Sequence, residues 1–203
     1  MHRTITTILS ALSLSASCLA GEGSLTVSEI FCNMPDSIMP YMHPSQRKEL
    51  IDIKRIEPDS IASYNTTLGM VSLTRLSDDI LTLQLSDNSS IEIGRLDDDH
   101  FLFITTYGAP LQESRCTVYN KDWSDRRTLN LEEFDIPTPT DSTETIEEIV
   151  SNAEFILVSA TITDNPQELC IRYNIPLMYS DDKQTYEKHR LQRNVKWNGK
   201  TFN

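Results

Sequence analysis

The hydrophobic period changes along this chain. Val27, Ile30, Phe31 and Met34 fall at i, i+3, i+4 and i+7, which is one apolar stripe on a helix. Thr26, with Glu29 three residues on, can close a capping box at its start, and Pro35, which lacks an amide donor, stops it. A second short helix is predicted after Pro44, through Arg47, Leu50 and Ile51. The pattern then becomes alternating. Val71 and Leu73 alternate with Ser72 and Thr74, and Leu81, Leu83 and Leu85 with Thr82 and Gln84. Ile91 and Ile93 follow the polar turn Ser86-Asp87-Asn88-Ser89-Ser90. Phe101, Phe103, Thr105 and Tyr107 alternate with Leu102, Ile104 and Thr106; Gly108-Ala109-Pro110 breaks that strand, and Cys116 to Tyr119 gives another. Five short strands with short polar links mean antiparallel hairpins, because parallel strands need long crossovers. One face of this sheet is expected to pack on the N-terminal helices and the other to be more polar.

Asp135-Ile136-Pro137-Thr138-Pro139-Thr140 reads as a linker. Asp141 with Glu144 forms a second capping box, opening a helix whose stripe is Ile146, Ile149, Val150 and Ala153. Phe155 to Ile162 is a near-continuous apolar run, expected to be central in its sheet. Asp164-Asn165-Pro166 turns the chain and Leu169 to Tyr173 returns beside it. Asp181 to Arg190 reads as a polar surface helix, and Val195-Lys196-Trp197 as a last strand ended by Asn198-Gly199. The fold class is therefore α+β: an antiparallel sheet of short hairpin strands with N-terminal helices on one face, then a second helix-plus-hairpin unit. The expected boundaries are a removable segment at 1–20, a helix-helix-sheet unit at 21–134, and a helix-hairpin unit at 135–203 packed with it as one compact domain.

The first twenty residues have the layout of an export signal. His2 and Arg3 precede an apolar stretch from Ile5 to Leu14, and Cys18-Leu19-Ala20 ends in a small residue. The stretch is too short and polar for a permanent membrane helix. Ser15-Ala16-Ser17-Cys18 loosely resembles the lipobox of bacterial lipoproteins, with Ser15 where that motif carries Leu. Two mature forms are thus expected: one cleaved after Ala20, and one acylated on Cys18. Both place the protein across the inner membrane, as a periplasmic, outer-membrane-anchored or secreted molecule, with membrane contact only through the lipid.

Composition narrows the function classes. Of 203 residues, 18 are basic and 30 acidic, giving a net charge of -12. Nucleic acid is not an expected partner, since phosphate binding needs clustered Lys and Arg. No Gly-x-Ser-x-Gly elbow, Walker loop, dinucleotide fingerprint, His-Glu-x-x-His or Cys-x-x-Cys occurs. No catalytic residue, cofactor or metal is assigned on this basis. Cys32, Cys116 and Cys170 follow the export segment, and they read as small buried hydrophobes.

Asp97-Asp98-Asp99-His100 is the densest cluster of chemistry-bearing residues. Its spacing lacks the calcium-loop pattern, so it reads as an acidic hairpin turn, as does Asp78-Asp79. Asp78, Asp79, Asp97, Asp98 and Asp99 are the candidate acidic contact surface, because turns at sheet ends carry recognition. Asp36-Ser37-Ile38, Asp59-Ser60-Ile61 and Asp141-Ser142-Thr143 fit a short Asp-Ser/Thr O-glycosylation motif, with Ser60 the candidate to test.

These segments, in this order, resemble the secreted Bacteroidetes family known as domain of unknown function number 3256. The residues that carry it are Ile30-Phe31-Cys32-Asn33-Met34-Pro35-Asp36-Ser37-Ile38, Arg47, Leu50-Ile51-Asp52, Leu76-Ser77-Asp78-Asp79 and Leu83-Gln84-Leu85-Ser86. Glu113-Ser114-Arg115, Asp122-Trp123 and the tail Lys196-Trp197-Asn198-Gly199-Lys200 complete the set. The resemblance implies a compartment and a fold, and no activity. The expected function is an exported, non-enzymatic binding module for a protein or small ligand. The alternatives are an enzyme whose site assembles from scattered residues, and an inhibitor of a cationic partner enzyme.

Overall fold

The computed structural model describes residues 25–67, 69–137, 144–176 and 191–203. Helix α1 (Val27–Cys32) opens on the expected capping box, with the Thr26 amide donating to the Glu29 carboxylate at 2.8 Å. It ends at Asn33, two residues before Pro35, and Met34 stays buried beyond it. Helix α2 (Pro44–Ile56) begins at His43, and Gln46 closes a capping box there. Its buried stripe is Arg47, Leu50, Ile51 and Lys54. Arg47 is fully buried, and its guanidinium donates to the carbonyls of Met34 and Met39 and to Asp36. It thereby fastens the connection between the helices underneath α2.

The helices lie on a seven-stranded antiparallel meander. Its strands run in sequence order: β1 (Ala62–Thr66), β2 (Gly69–Leu76), β3 (Ile80–Ser86), β4 (Ser89–Arg95), β5 (His100–Tyr107), β6 (Glu113–Asn120) and β7 (Arg127–Leu129). The alternation from Val71 to Tyr119 marks the five central strands; β1 and β7 are additional edges. After a short 3-10 turn at Leu131–Glu133 come α3 (Glu144–Asn152), β8 (Leu157–Ile162), β9 (Glu168–Asn174) and β10 (Gln192–Lys196). The last three form a second antiparallel sheet in the order β10-β9-β8.

The large sheet is covered on both faces. On one side Val27, Ile30, Phe31 and Leu50 pack with Leu81, Leu83, Ile91, Ile93 and Phe101. On the other, Leu102, Ile104, Cys116 and Val118 pack with Val158, Ala160, Ile162 and Ile171 of the second sheet. The expectation of a polar second face is thus corrected: β5 reads Phe101-Leu102-Phe103-Ile104, apolar in both directions because both directions lead to a core.

A second correction concerns the run from Phe155 to Ile162. Phe155 is 52% exposed, the strand starts at Leu157, and β9 rather than β8 is central. The outer edge of β8 is nevertheless closed, by side chains of the large sheet. Ser114 Oγ accepts from the Ala160 amide at 3.0 Å, and Glu92 accepts from the Ile162 amide at 2.9 Å and the Thr161 hydroxyl at 2.8 Å. Arg75 donates to the Thr163 carbonyl at 3.2 Å. This supplies partners to an edge that would otherwise hold unpaired backbone groups. Gly94 permits the approach, since a Cβ there would lie 2.7 Å from Ile162 Cδ1. The Asp141 cap, the Ile146 side chain and the proposed helix from Asp181 to Arg190 lie outside the described residues; Ile149 is buried as expected.

Candidate functional site

In an up-and-down sheet alternate turns share one end. The β2–β3, β4–β5 and β6–β7 turns meet there, together with the β8–β9 turn and the C-terminal tail. Asp97 organises the β4–β5 turn. One of its carboxylate oxygens accepts from the His100 amide at 2.8 Å, from His100 Nδ1 at 2.8 Å and from the Asp99 amide at 3.0 Å. The other accepts from Trp197 Nε1 at 2.9 Å. Burial works against ionising Asp97, but these bonds outweigh it and hold the carboxyl below its ordinary range.

Trp197 is the hub. Its ring centroid lies 5.9 Å from that of His100, and the Arg127 guanidinium sits 5.7 Å above the indole. Its own amide donates to the Gln167 carbonyl at 2.8 Å, while the Gln167 side chain donates to the Leu96 carbonyl at 2.6 Å. Arg127 also donates to the Lys200 carbonyl. Residues 100 positions apart in sequence are therefore locked into one arrangement.

The β6–β7 loop completes the site. Trp123 and Asp125 have φ values of 65° and 39°, a region that side chains other than glycine seldom adopt. Packing holds Trp123 there. Trp123 is buried edge-on against Phe101 at 4.6 Å, and its Nε1–H donates to the Ile30 carbonyl at 3.0 Å. The Asp122 side chain accepts from the Ser124 hydroxyl and amide, which keeps its carboxyl below the ordinary range. Arg126 and Arg127 follow the bend and are both exposed. His100, Val118, Asn120, Asp125, Arg126 and Arg127 line a cleft of about 310 Å³. A second cleft, of about 280 Å³, runs between Asp79, Arg95, Asp98 and Pro166. Asp97 lines the second and His100 the first, so their pair stands between the two.

The structure brings the two expected acidic turns together and gives most of their carboxylates a cation. Arg95 Nε donates to Asp79 at 2.6 Å and lies 3.6 Å, through Nη1, from Asp98. Asp99 lies 3.4 Å from Lys121, and Asp97 holds His100. Asp78 contributes its carbonyl to the Val27 amide at 3.0 Å. These pairings reduce the negative charge that the turns present outward. Ser60 stands apart, in the loop after α2, with its hydroxyl donating to the Glu57 carbonyl at 2.8 Å. Asp36 pairs with Arg47. Cys18 and Ser142 lie outside the described residues. Cys116 and Cys170 are buried, Cys32 is half-buried, and all three are free thiols. Burial pushes the Cys32 and Cys116 thiols up, which makes them poor nucleophiles.

Arg126, Arg127 and the role of Trp197 were not singled out from sequence. The signal that could have found them is an adjacent arginine pair in a strongly acidic chain. Among the described residues, no group of three His, Cys, Asp or Glu is placed to hold a metal ion. No helix among them is long and apolar enough to cross a membrane.

Residues 20–202 match the family model described as "Protein of unknown function (DUF3256)". No curated protein matches the chain. Among solved structures, a domain of an uncharacterized protein from Porphyromonas gingivalis W83 is similar, with a TM-score of 0.62 and 17% identity. The alignment covers 89% of this chain and 98% of that domain. At this identity the likeness shows a common fold.

Proposed function

Because the chain belongs to the DUF3256 family of proteins of unknown function, matched over residues 20–202, we propose an exported binding module whose ligand or partner docks at the turn end around Trp197. It is envelope-associated or secreted. Export is supported by the signal-like segment up to Ala20, which ends where the family match begins. Acylation of Cys18 would tether the molecule to a membrane; cleavage after Ala20 would free it.

The observation that carries the binding reading is the rigidity of the site. Asp97, His100, Trp197 and Arg127 hold one another by hydrogen bonds and ring contacts. Two clefts open beside them, and groups already held in place lose less entropy on binding. The six residues lining the larger cleft include no serine, threonine, cysteine or lysine nucleophile. A second reading, an enzyme, rests on one contact: the 2.8 Å bond between Asp97 and His100, which resembles the orienting half of an acid–base pair.

Two measurements test the proposal. Intact-mass analysis of protein from the native envelope and medium is expected to find chains beginning at Gly21 or at an acylated Cys18; a chain beginning at Met1 would overturn export. Retention of envelope components on the immobilised chain is expected to fall for Trp197→Phe, which loses the bond to Asp97. Identical retained material from Trp197→Phe and the parent would remove the turn end from the function.

A further inference from the structure

The cleft beside His100 has a charge opposite to that of the molecule. The chain carries -12 overall, yet Arg126 and Arg127 both line this one cleft. Arg127 is pre-oriented by the Lys200 carbonyl and the Trp197 ring. Among the described residues, no hydrogen bond or ion pair engages Arg126. His100 uses Nδ1 for Asp97, and no described residue bonds its Nε2. Asn120 lies on the strand opposite His100 and also lines the cleft. The backbone that presents these donors is held at φ values of 65° and 39°, a cost that rigid functional loops commonly carry.

We infer that this cleft binds a tetrahedral oxyanion, the phosphate or sulfate ester of a small polar molecule. The inference rests on the binding reading above and names its ligand class. Two guanidinium forks suit tetrahedral oxyanions, because each offers paired N–H donors in a plane. His100, held by Asp97 through Nδ1, and Asn120, held by Ser124 and Asp125 through Nδ2, shape the wall beside the arginines. About 310 Å³ exceeds what the anion alone requires and leaves room for the group that carries it. Asp125, the one carboxylate in the lining, opposes the anion and sets the affinity below what the arginines alone would give.

The test is a titration of the full chain with inorganic phosphate, glucose 6-phosphate and glucose 6-sulfate. It is followed by nitrogen-15 NMR at the Trp197 indole and the arginine side chains, with affinities from calorimetry. Saturable binding of at least one ester is expected, shifting Trp197 Nε1 and Arg127. The two sugar esters distinguish phosphate from sulfate recognition. Arg126→Gln should weaken binding about tenfold or more, because it removes charged hydrogen bonds. Asp125→Asn should strengthen it severalfold; Asn tolerates positive φ, so the loop is kept. Arg55→Gln, the same charge change on α2, should leave affinity within about twofold if the site is local. The inference is overturned if no ester shifts these signals, or if Arg55→Gln weakens binding as much as Arg126→Gln. Lost retention for Trp197→Phe without ester binding would reject the oxyanion and keep the binding reading. Ester binding without any change in retention would do the reverse.

Discussion

Glu92 offers the sharpest test of how the two sheets are joined. It is 8% exposed and sits on β4 facing the second sheet. One carboxylate oxygen accepts from the Thr161 hydroxyl and the other from the buried Ile162 amide. Burial raises its pKa from the model-peptide value of 4.5, and the bonds from Ile162 and Thr161, with the charges of Arg75 and Arg172, only partly offset this. A carboxyl raised on folding makes the native state bind more protons than the unfolded chain. Its contribution is fully present below 4.5 and is lost as pH rises through the folded value. Glu92→Gln removes that titration, keeps an acceptor for the Ile162 amide and places a donor against Thr161. Glu92→Ala orphans one buried amide and one partly exposed hydroxyl, a loss of about 2–4 kcal/mol. Urea titrations of all three proteins at pH 4.5 and 7.5 would measure this. Glu92→Gln should gain on the parent as pH rises, and Glu92→Ala should be the least stable at both values. A constant difference between Glu92→Gln and the parent across that range, or equal losses for the Gln and Ala variants, would refute the reasoning.

Three further outcomes are expected. Leu83→Ala, at a fully buried position in the helix-side core, should cost about 2–5 kcal/mol in a urea titration. Thr82→Ala, on the opposite face, should cost under about 1 kcal/mol, and equal losses would place the strand in the wrong register. Arg47→Ala should cost about 3–5 kcal/mol, because it leaves a cavity and strands the Met34 and Met39 carbonyls; Arg47→Met, which refills the volume, should recover part of the loss. Thiol labelling of the native chain should modify Cys32 first and leave Cys116 and Cys170 protected until unfolding, as their burial requires.

Much of the helix-and-sheet plan could be read from period alone, because α1, α2, β2 and β3 each bury one regular stripe, whereas β4, β5 and β6 bury four consecutive residues and so both faces. Strands β1 and β7 could not be read in this way. Only Ala62 is buried in β1, and β7 has three residues with none buried, so neither carries an alternating signal. The apolar run ending at Ile162 reads as a central strand, yet it is an edge whose backbone is closed by side chains 46 to 88 residues away in sequence, which no local pattern reports. The second core was missed for a related reason. In β5 the inward residues of both faces are apolar, and a reader following one face takes the other for its polar complement. The candidate site was legible only in fragments. Asp97 to His100 stood out as a turn, and Trp197 as part of a family-like tail, but a meander of seven strands has to form before they meet.

The most direct measurement is site-specific photo-crosslinking of the full chain in envelope extract, with the probe placed in turn at exposed Lys200, at Pro166 and at exposed Met70 on β2. Crosslinked species from the first two positions and none from Met70 are expected if the turn end around Trp197 is where this protein binds. Crosslinks confined to Met70 would contradict it and move the function to the opposite edge of the sheet.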